Sequence, residues 1–323
     1  MLPTQSQETK ESLTLSSATD VASVLELYRL PFFDLLFRAH SVHRSFHGPE
    51  EIQRCVLLSI KTGGCPEDCG YCSQSAHHRT ELQRVPLLSV EEVRASALRA
   101  RELGAQRFCM GAAWRSAPEG EPLERVLAMI REVKSLGLEA CVTLGMLTAE
   151  QARRLKEAGL DAYNHNLDTS REYYPKITTT RTYDDRLETI RRVREAGITV
   201  CCGGILGLGE NEQDRCALLS ELAQMEPPPE SVPINLLVPI PGTPLGDMPP
   251  VETTDLIRTI AVARILMPLS RVRLTAGRLS LNKEAQLLAF FAGANSIFIG
   301  EKLLTTPNIA PAQDRAMLMA IRT

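Results

Sequence analysis

Three cysteines fall within one short stretch, Gly64-Cys65-Pro66-Glu67-Asp68-Cys69-Gly70-Tyr71-Cys72, at C-x3-C-x2-C spacing. A loop this compact can bring three thiolates onto one iron–sulfur cluster, since thiolates are the ligands such clusters use. Three ligands on a four-iron cluster leave one iron open to a cofactor or substrate. A zinc knuckle is the competing chemistry. It needs a fourth Cys or His, and His77 and His78 are close by in the chain. A second set is dispersed. Cys109, Cys141 and Cys201 lie in separate apolar runs, and Arg273 lies in another. One such cysteine is usually a small core residue. Three at equivalent depth beside an arginine are different, because a buried guanidinium requires a negative or strongly accepting partner. A third set is amide and carboxylate: Asn164, Asn166, Asp168 and Asn235.

The elements that position these residues repeat. An amphipathic helix, a glycine at its end and a short β-branched or aromatic run recur around Gly104, Gly137, Gly159, Gly197 and Gly293. Each glycine stands where a helix C-terminus takes a left-handed residue. Ser89 with Glu92, and Thr148 with Gln151, predict capping boxes, and Asn282 predicts an N-cap. Apolar runs near 55–61, 107–113, 139–145, 162–168, 199–208, 231–238, 271–278 and 296–301 predict eight strands. Strands alternating with helices form a parallel sheet, and eight units predict a single TIM-type (β/α)8 barrel. A doubly wound open sheet is the alternative, with longer all-apolar central strands.

Side chains alternate across a strand. Arg271, Arg273 and Thr275 therefore share one face, and Asn164, Asn166 and Asp168 share another, opposite Tyr163, His165 and Leu167. Outer helices take the apolar face, so the polar sets point into the lumen. Cys109, Cys141 and Cys201 follow by the same counting, while Cys202 faces the helices. A lumen carrying Cys, Arg, Asn and Asp in place of the usual Val, Ile and Leu must hold something that those groups bind. The run Gly203-Gly204-Ile205-Leu206-Gly207-Leu208-Gly209 has its glycines misplaced for a dinucleotide fingerprint.

The remaining bounds are broad. The 323 residues are 44% hydrophobic and 23% charged, with a net charge of −3, which gives no reason to expect nucleic acid or an anionic membrane as partner. No apolar run approaches the ~20 residues that span a bilayer. Neither a secretory signal nor an Arg-rich transit peptide is legible, and nine cysteines, an odd number, fit a reducing, cytoplasmic compartment. Residues 1–20 are polar and predict disorder. Residues 21–323 predict the barrel domain, with LPFFDLLFRAH in a helical extension able to cover one barrel end and a short C-terminal tail.

The Cys65–Cys72 motif, with Tyr71 before its last cysteine, resembles the defining motif of the radical S-adenosylmethionine superfamily. The segments FCMGAAW, EACVTLG, YNHNLDTS, ITTTRTY, VPINLLV, IRTIAVARI, VRLTAGR and GANSIFIGEKLLTTPN, in that order over roughly residues 50–310, resemble the biotin synthases. The resemblance implies a 4Fe–4S cluster on Cys65, Cys69 and Cys72, whose open iron takes S-adenosyl-L-methionine. It implies a 2Fe–2S cluster on Cys109, Cys141, Cys201 and Arg273. Tyr71, Asn166, Asp168 and Arg186 are then contacts to S-adenosylmethionine, and Asn164 and Asn235 contacts to the ureido ring of dethiobiotin. A flavodoxin- or ferredoxin-type electron donor and a homodimer are also implied, as is sulfur insertion at carbons 6 and 9 at the cost of two S-adenosylmethionine per biotin. Other radical enzymes would share the triad without Arg273; the separate cysteine motif of lipoyl synthases is not found. A non-enzymatic cluster-binding sensor would lack the polar lumen. Cys55, Cys202 and Cys216 match no ligand position and read as packing or surface residues.

Overall fold

Local signals start and stop each unit. In the computed structural model, which describes residues 19–48 and 51–322, the chain opens with helices α1 (Val21–Tyr28) and α2 (Phe32–Phe46). It continues as β1 (Gln53–Lys61), α3 (Val90–Glu102), β2 (Arg107–Ala112), α4 (Glu121–Ser135), β3 (Glu139–Thr143), α5 (Ala149–Glu157) and β4 (Ala162–Asn164). Next come α6 (Tyr183–Glu195), β5 (Thr199–Cys201), β6 (Gly204–Leu206), α7 (Glu212–Gln224) and β7 (Ser231–Leu236). The remainder is α8 (Thr253–Leu266), β8 (Arg271–Leu274), α9 (Lys283–Phe291), β9 (Ser296–Phe298) and α10 (Pro311–Arg322). Capping boxes open α3 at Ser89/Glu92 and α5 at Thr148/Gln151, and the Asn282 side chain caps α9. The helix-ending glycines adopt positive φ, as at Gly104 (80°) and Gly197 (73°).

Among the described residues the strands form one all-parallel sheet, ordered β5-β4-β3-β2-β1-β9-β8-β7-β6 and closed by pairing of β5 with β7. Nine segments make eight staves, because the fifth predicted strand breaks into β5 and β6 at Cys202 and Gly203. The break has a steric cause: a Cβ on Gly203 would lie 2.0 Å from the Pro233 carbonyl oxygen. The predicted strand near 162–168 also stops short, at Asn164, and Asp168 takes φ 69°.

Two apolar regions result. The main core lies between sheet and helices and takes in Phe108, Met110, Ala140, Val142, Val200, Cys202, Cys216, Val232, Val272 and Leu274. A separate lumen cluster holds Cys55, Cys109, Cys141, Ala162, Phe298 and Leu303. Strand parity thus sorts Cys109 and Cys141 inward and Cys202 outward, as expected. Cys202 and Cys216 are core packing, but Cys55 is not: it faces the lumen. The terminal extension differs too. The α2 helix buries Leu35, Leu36 and Ala39 and lies along α8 on the outer helical layer, instead of covering a barrel end. The bottom of the lumen is filled from within, where Glu139 accepts from Arg107 and Gln53. Residues 1–18 of the expected disordered segment lie outside the described residues; Asp20 caps α1.

Candidate active site

The Cys65–Cys72 loop leaves the C-terminal end of β1, the end of a parallel barrel at which active sites form. It is strapped down. Asp68 accepts from the Thr178 hydroxyl (2.8 Å) and the Thr179 amide (2.9 Å), and the Gly70 amide donates to the Ile177 carbonyl (2.8 Å). Burial opposes ionisation of Asp68, but these donors hold its carboxyl well below the usual range. Burial pushes the Cys65 and Cys69 thiols up, and that of Cys72 up to about 12. Loading a metal group here must therefore displace protons. His77 Nε2 pairs with the Pro66 carbonyl (3.1 Å) and His78 Nε2 with the Cys69 carbonyl (3.0 Å), so neither ring turns to the thiols and the zinc reading loses its fourth ligand. Among the described residues no three His, Cys, Asp or Glu side chains converge on a point that one ion would fill. A multi-iron cluster spreads its ligands more widely.

All three loop cysteines line a cavity of about 330 Å³ at the mouth of the barrel. Tyr71, Asn164, Asn166, Asp168, Arg186 and Asn235 line it with them. Asn164 Nδ2 donates to Asn166 Oδ1 (3.2 Å) and to Cys201 Sγ (3.3 Å); Asn235 Nδ2 donates to the Gly204 carbonyl (2.9 Å). The Tyr71 hydroxyl (3.0 Å) and Arg186 Nη2 (2.6 Å) both donate to Asp168 Oδ2. Burial and the Asp168 carboxylate raise the Tyr71 phenol, so it remains a donor. His165, expected on the outward face, lines the cavity as well, because β4 ends before it. Burial keeps its ring neutral, and its Nε2 has no partner in the described residues.

Below the cavity lies the second constellation. Cys109 and Cys141 are paired in register across β2 and β3, and small Ala162 continues that level on β4. Arg273 is 1% exposed and meets no carboxylate among the described residues. Its Nε donates to Ser296 Oγ (2.8 Å), Nη2 to Gln53 Oε1 (3.2 Å), and Nη1 points at Cys201 Sγ (3.6 Å). A guanidinium buried among thiols and neutral amides lacks its counter-charge. An anionic iron–sulfur group supplies one, and the sulfur-rich donor set suits it.

Sequence reasoning missed several residues. Arg181 Nη2 donates to Cys69 Sγ (3.1 Å) and its guanidinium lines the cavity without a carboxylate partner among the described residues. Arg107 reaches the lumen floor two residues before Cys109 and is 7% exposed. Leu303, Leu304, Thr305 and Thr306 line the cavity, and Thr305 shares a hydrogen bond with Ser73 of the cysteine loop (3.2 Å). Counting parity along β1 would have found Cys55.

A closed (β/α)8 barrel with a three-cysteine loop at the rim of its first strand is the architecture of radical S-adenosylmethionine enzymes. Family models agree: "Radical SAM superfamily" matches residues 59–222, and "Biotin and Thiamin Synthesis associated domain" matches residues 233–321. One closed sheet runs through both segments. The chain is 61% identical to a biotin synthase of Sorangium cellulosum over 92% of this chain and 85% of that protein. It is 59% identical to one of Methylobacterium sp. over 93% and 91%. This chain belongs to the biotin synthase family. Among solved structures, a methylornithine synthase superposes with TM-score 0.81 at 18% identity, covering 97% of this chain and 96% of that one. An FeFe-hydrogenase maturase of Carboxydothermus hydrogenoformans does so with 0.80 at 19%, covering 97% and 79%. These two share the fold.

Proposed function

We propose that the chain converts dethiobiotin to biotin by inserting a sulfur atom between carbons 6 and 9. The observation that carries this reading is Arg273, a buried cation without a carboxylate, set among lumen thiols directly below the cavity that the three-cysteine loop roofs. Cys65, Cys69 and Cys72 would hold a 4Fe–4S cluster, and Cys109, Cys141, Cys201 and Arg273 a 2Fe–2S cluster. With S-adenosylmethionine bound, these groups would supply radical chemistry and a sulfur donor.

The chain's own residues bind, orient and exclude water. Asn166 and Asp168 offer acceptors to ribose hydroxyls. Arg186, with Arg181 beside it, offers positive charge to a carboxylate, and Tyr71 steadies Asp168. Asn164 and Asn235 each present an amide with donor and acceptor, which matches a ureido ring. Segment 303–306 lines the mouth and would limit the entry of water. We take residues 21–323, the barrel with its N-terminal helical extension and C-terminal tail, as one domain, and assign the chain to the cytoplasm as a homodimer served by a flavodoxin- or ferredoxin-type reductant. Phe33 and Phe37, one turn apart on α2 and 79% and 72% exposed, offer apolar surface for a second copy. No described helix is long and apolar enough to cross a membrane.

Anaerobic incubation of the reconstituted protein with dethiobiotin, S-adenosylmethionine and a reductant, followed by assay for biotin, tests the reading. Biotin formed with about two 5′-deoxyadenosines per molecule supports it; cleavage of S-adenosylmethionine without any biotin would refute it.

A further inference from the structure

Cys55 was not among the residues assigned to either cluster, yet it lies in the same lumen cluster as two of them. It is 0% exposed and belongs to the small apolar cluster that contains Cys109 and Cys141, apart from the main core. Register places it one pleat below Leu57, which pairs with Cys109. Two of its polar neighbours are the atoms that hold Arg273. Cys55 Sγ lies 3.6 Å from Gln53 Oε1 and 3.8 Å from Ser296 Oγ, and Arg273 donates to the same two atoms at 3.2 and 2.8 Å. The thiol and the guanidinium therefore stand side by side. A second, independent feature points to an anion at this level. Arg107, whose Cα pairs in register with that of Cys55, gives its Nε to Glu139 but carries a buried Nη1 with no hydrogen-bond partner in the described residues.

We propose that Cys55 is a fourth sulfur ligand of the auxiliary cluster, placed to take the iron position that Arg273 holds. The inference rests on the 2Fe–2S reading above. A guanidine nitrogen can ligate iron only after giving up a proton. The exchange balances: the iron–nitrogen bond breaks, the Cys55 S–H bond breaks, an iron–sulfur bond forms, and the thiol proton passes to the departing guanidine. No electron moves and the net charge of the site is unchanged. Thiolate is the stronger ligand for iron, so the exchange converts a labile corner of the cluster into a retained one. Arg107 and the released Arg273 guanidinium then face the added thiolate charge.

The test compares four anaerobically reconstituted full-length chains: wild type, Arg273→Met, Cys55→Ser and Arg273→Met/Cys55→Ser. The readouts are Mössbauer quantitation of 2Fe–2S against 4Fe–4S, and resonance Raman of the iron–sulfur stretches. Arg273→Met should keep nearly its full 2Fe–2S content and show bands of an all-thiolate cluster, whereas the double variant should hold at least five-fold less. Cys55→Ser alone should keep the wild-type spectrum. Equal 2Fe–2S content and identical bands in Arg273→Met and the double variant would overturn the proposal. If Arg273→Met fails to fold, Arg273→Lys with and without Cys55→Ser gives the same comparison with the positive charge retained. A wild-type chain that loads 4Fe–4S but no 2Fe–2S would overturn the reading of the lower site itself, and this proposal with it.

Discussion

Replacing Cys65, Cys69 or Cys72 by Ala leaves too few thiols on the rim loop to hold an open-iron cluster. Each variant should lose reductive cleavage of S-adenosylmethionine altogether, measured as 5′-deoxyadenosine; cleavage at the wild-type rate would remove the loop from the chemistry. Asn235 gives a graded test. Its amide is anchored to the Gly204 carbonyl and accepts from the Thr275 hydroxyl, so it is held in place and turned to the cavity. Asn235→Ala should weaken dethiobiotin binding by about 1–3 kcal/mol, the usual penalty for an unsatisfied buried partner, with S-adenosylmethionine affinity little changed. Calorimetry that finds equal losses for both ligands would make Asn235 a structural residue. Asn164 is less clean, since it also donates to Cys201 Sγ. Residue types and parity were enough to pick out the cysteine triad, the lumen cysteines and Arg273. Arg181 was not legible, because its approach to Cys69 depends on how the 177–180 segment folds over the cysteine loop. Cys55 was legible in parity but passed over for want of a matching family position.

Among the elements, α2 carries a pH-dependent contact. His43 is buried against α8 with Arg264, His47, His40 and Arg44 around it, and burial first, then the Arg264 charge, holds its imidazole at about 3. In an unfolded chain the ring titrates near 6.5. Between those values only the unfolded state binds the proton, so the docking of α2 is strongest above about pH 6.5 and weakens as pH falls toward 3. Hydrogen exchange in residues 32–46 should show protection falling through that window in the wild type, and a flatter profile in His43→Gln. Identical profiles would mean that His43 does not govern the contact. At the strand break the constraint is steric. Gly203→Ala would drive a methyl group into the Pro233 carbonyl, so it should destabilise the barrel by about 1–3 kcal/mol and lower the melting temperature. The lengths of β4 and β5 could not be read from composition. The apolar run 199–208 and the alternation through 162–168 continue past the point where Gly203 meets the Pro233 carbonyl, and beyond it Asp168 and Gly204 pair only as an isolated bridge.

For the whole molecule, the arrangement is a stack: a mouth lined by segment 303–306, a cavity of about 330 Å³, and a sulfur-rich floor. Under the proposed function, segment 303–306 would limit the access of solvent to the cavity. Leu304 packs over Gly111, so close that a Cβ there would lie 2.6 Å from Leu304 Cδ2. Leu304→Ala should open the mouth and raise the ratio of 5′-deoxyadenosine to biotin several-fold, without loss of either cluster; an unchanged ratio would assign the segment another role. The barrel itself was legible because eight predicted strands alternating with helices, five of them in helix-glycine-strand units, leave little choice of topology. The place of segment 303–306 was not, because it belongs to a tail whose destination only the closed sheet fixes. The measurement that reaches the centre of the mechanism follows the sulfur. The chain is reconstituted with isotopically labelled sulfide in the lower cluster alone, given dethiobiotin, S-adenosylmethionine and reductant, and the first-turnover biotin is weighed by mass spectrometry. Label should appear in biotin in proportion to the lower cluster lost. Unlabelled biotin, formed while the labelled cluster stays intact, would contradict a sulfur donor at the barrel floor.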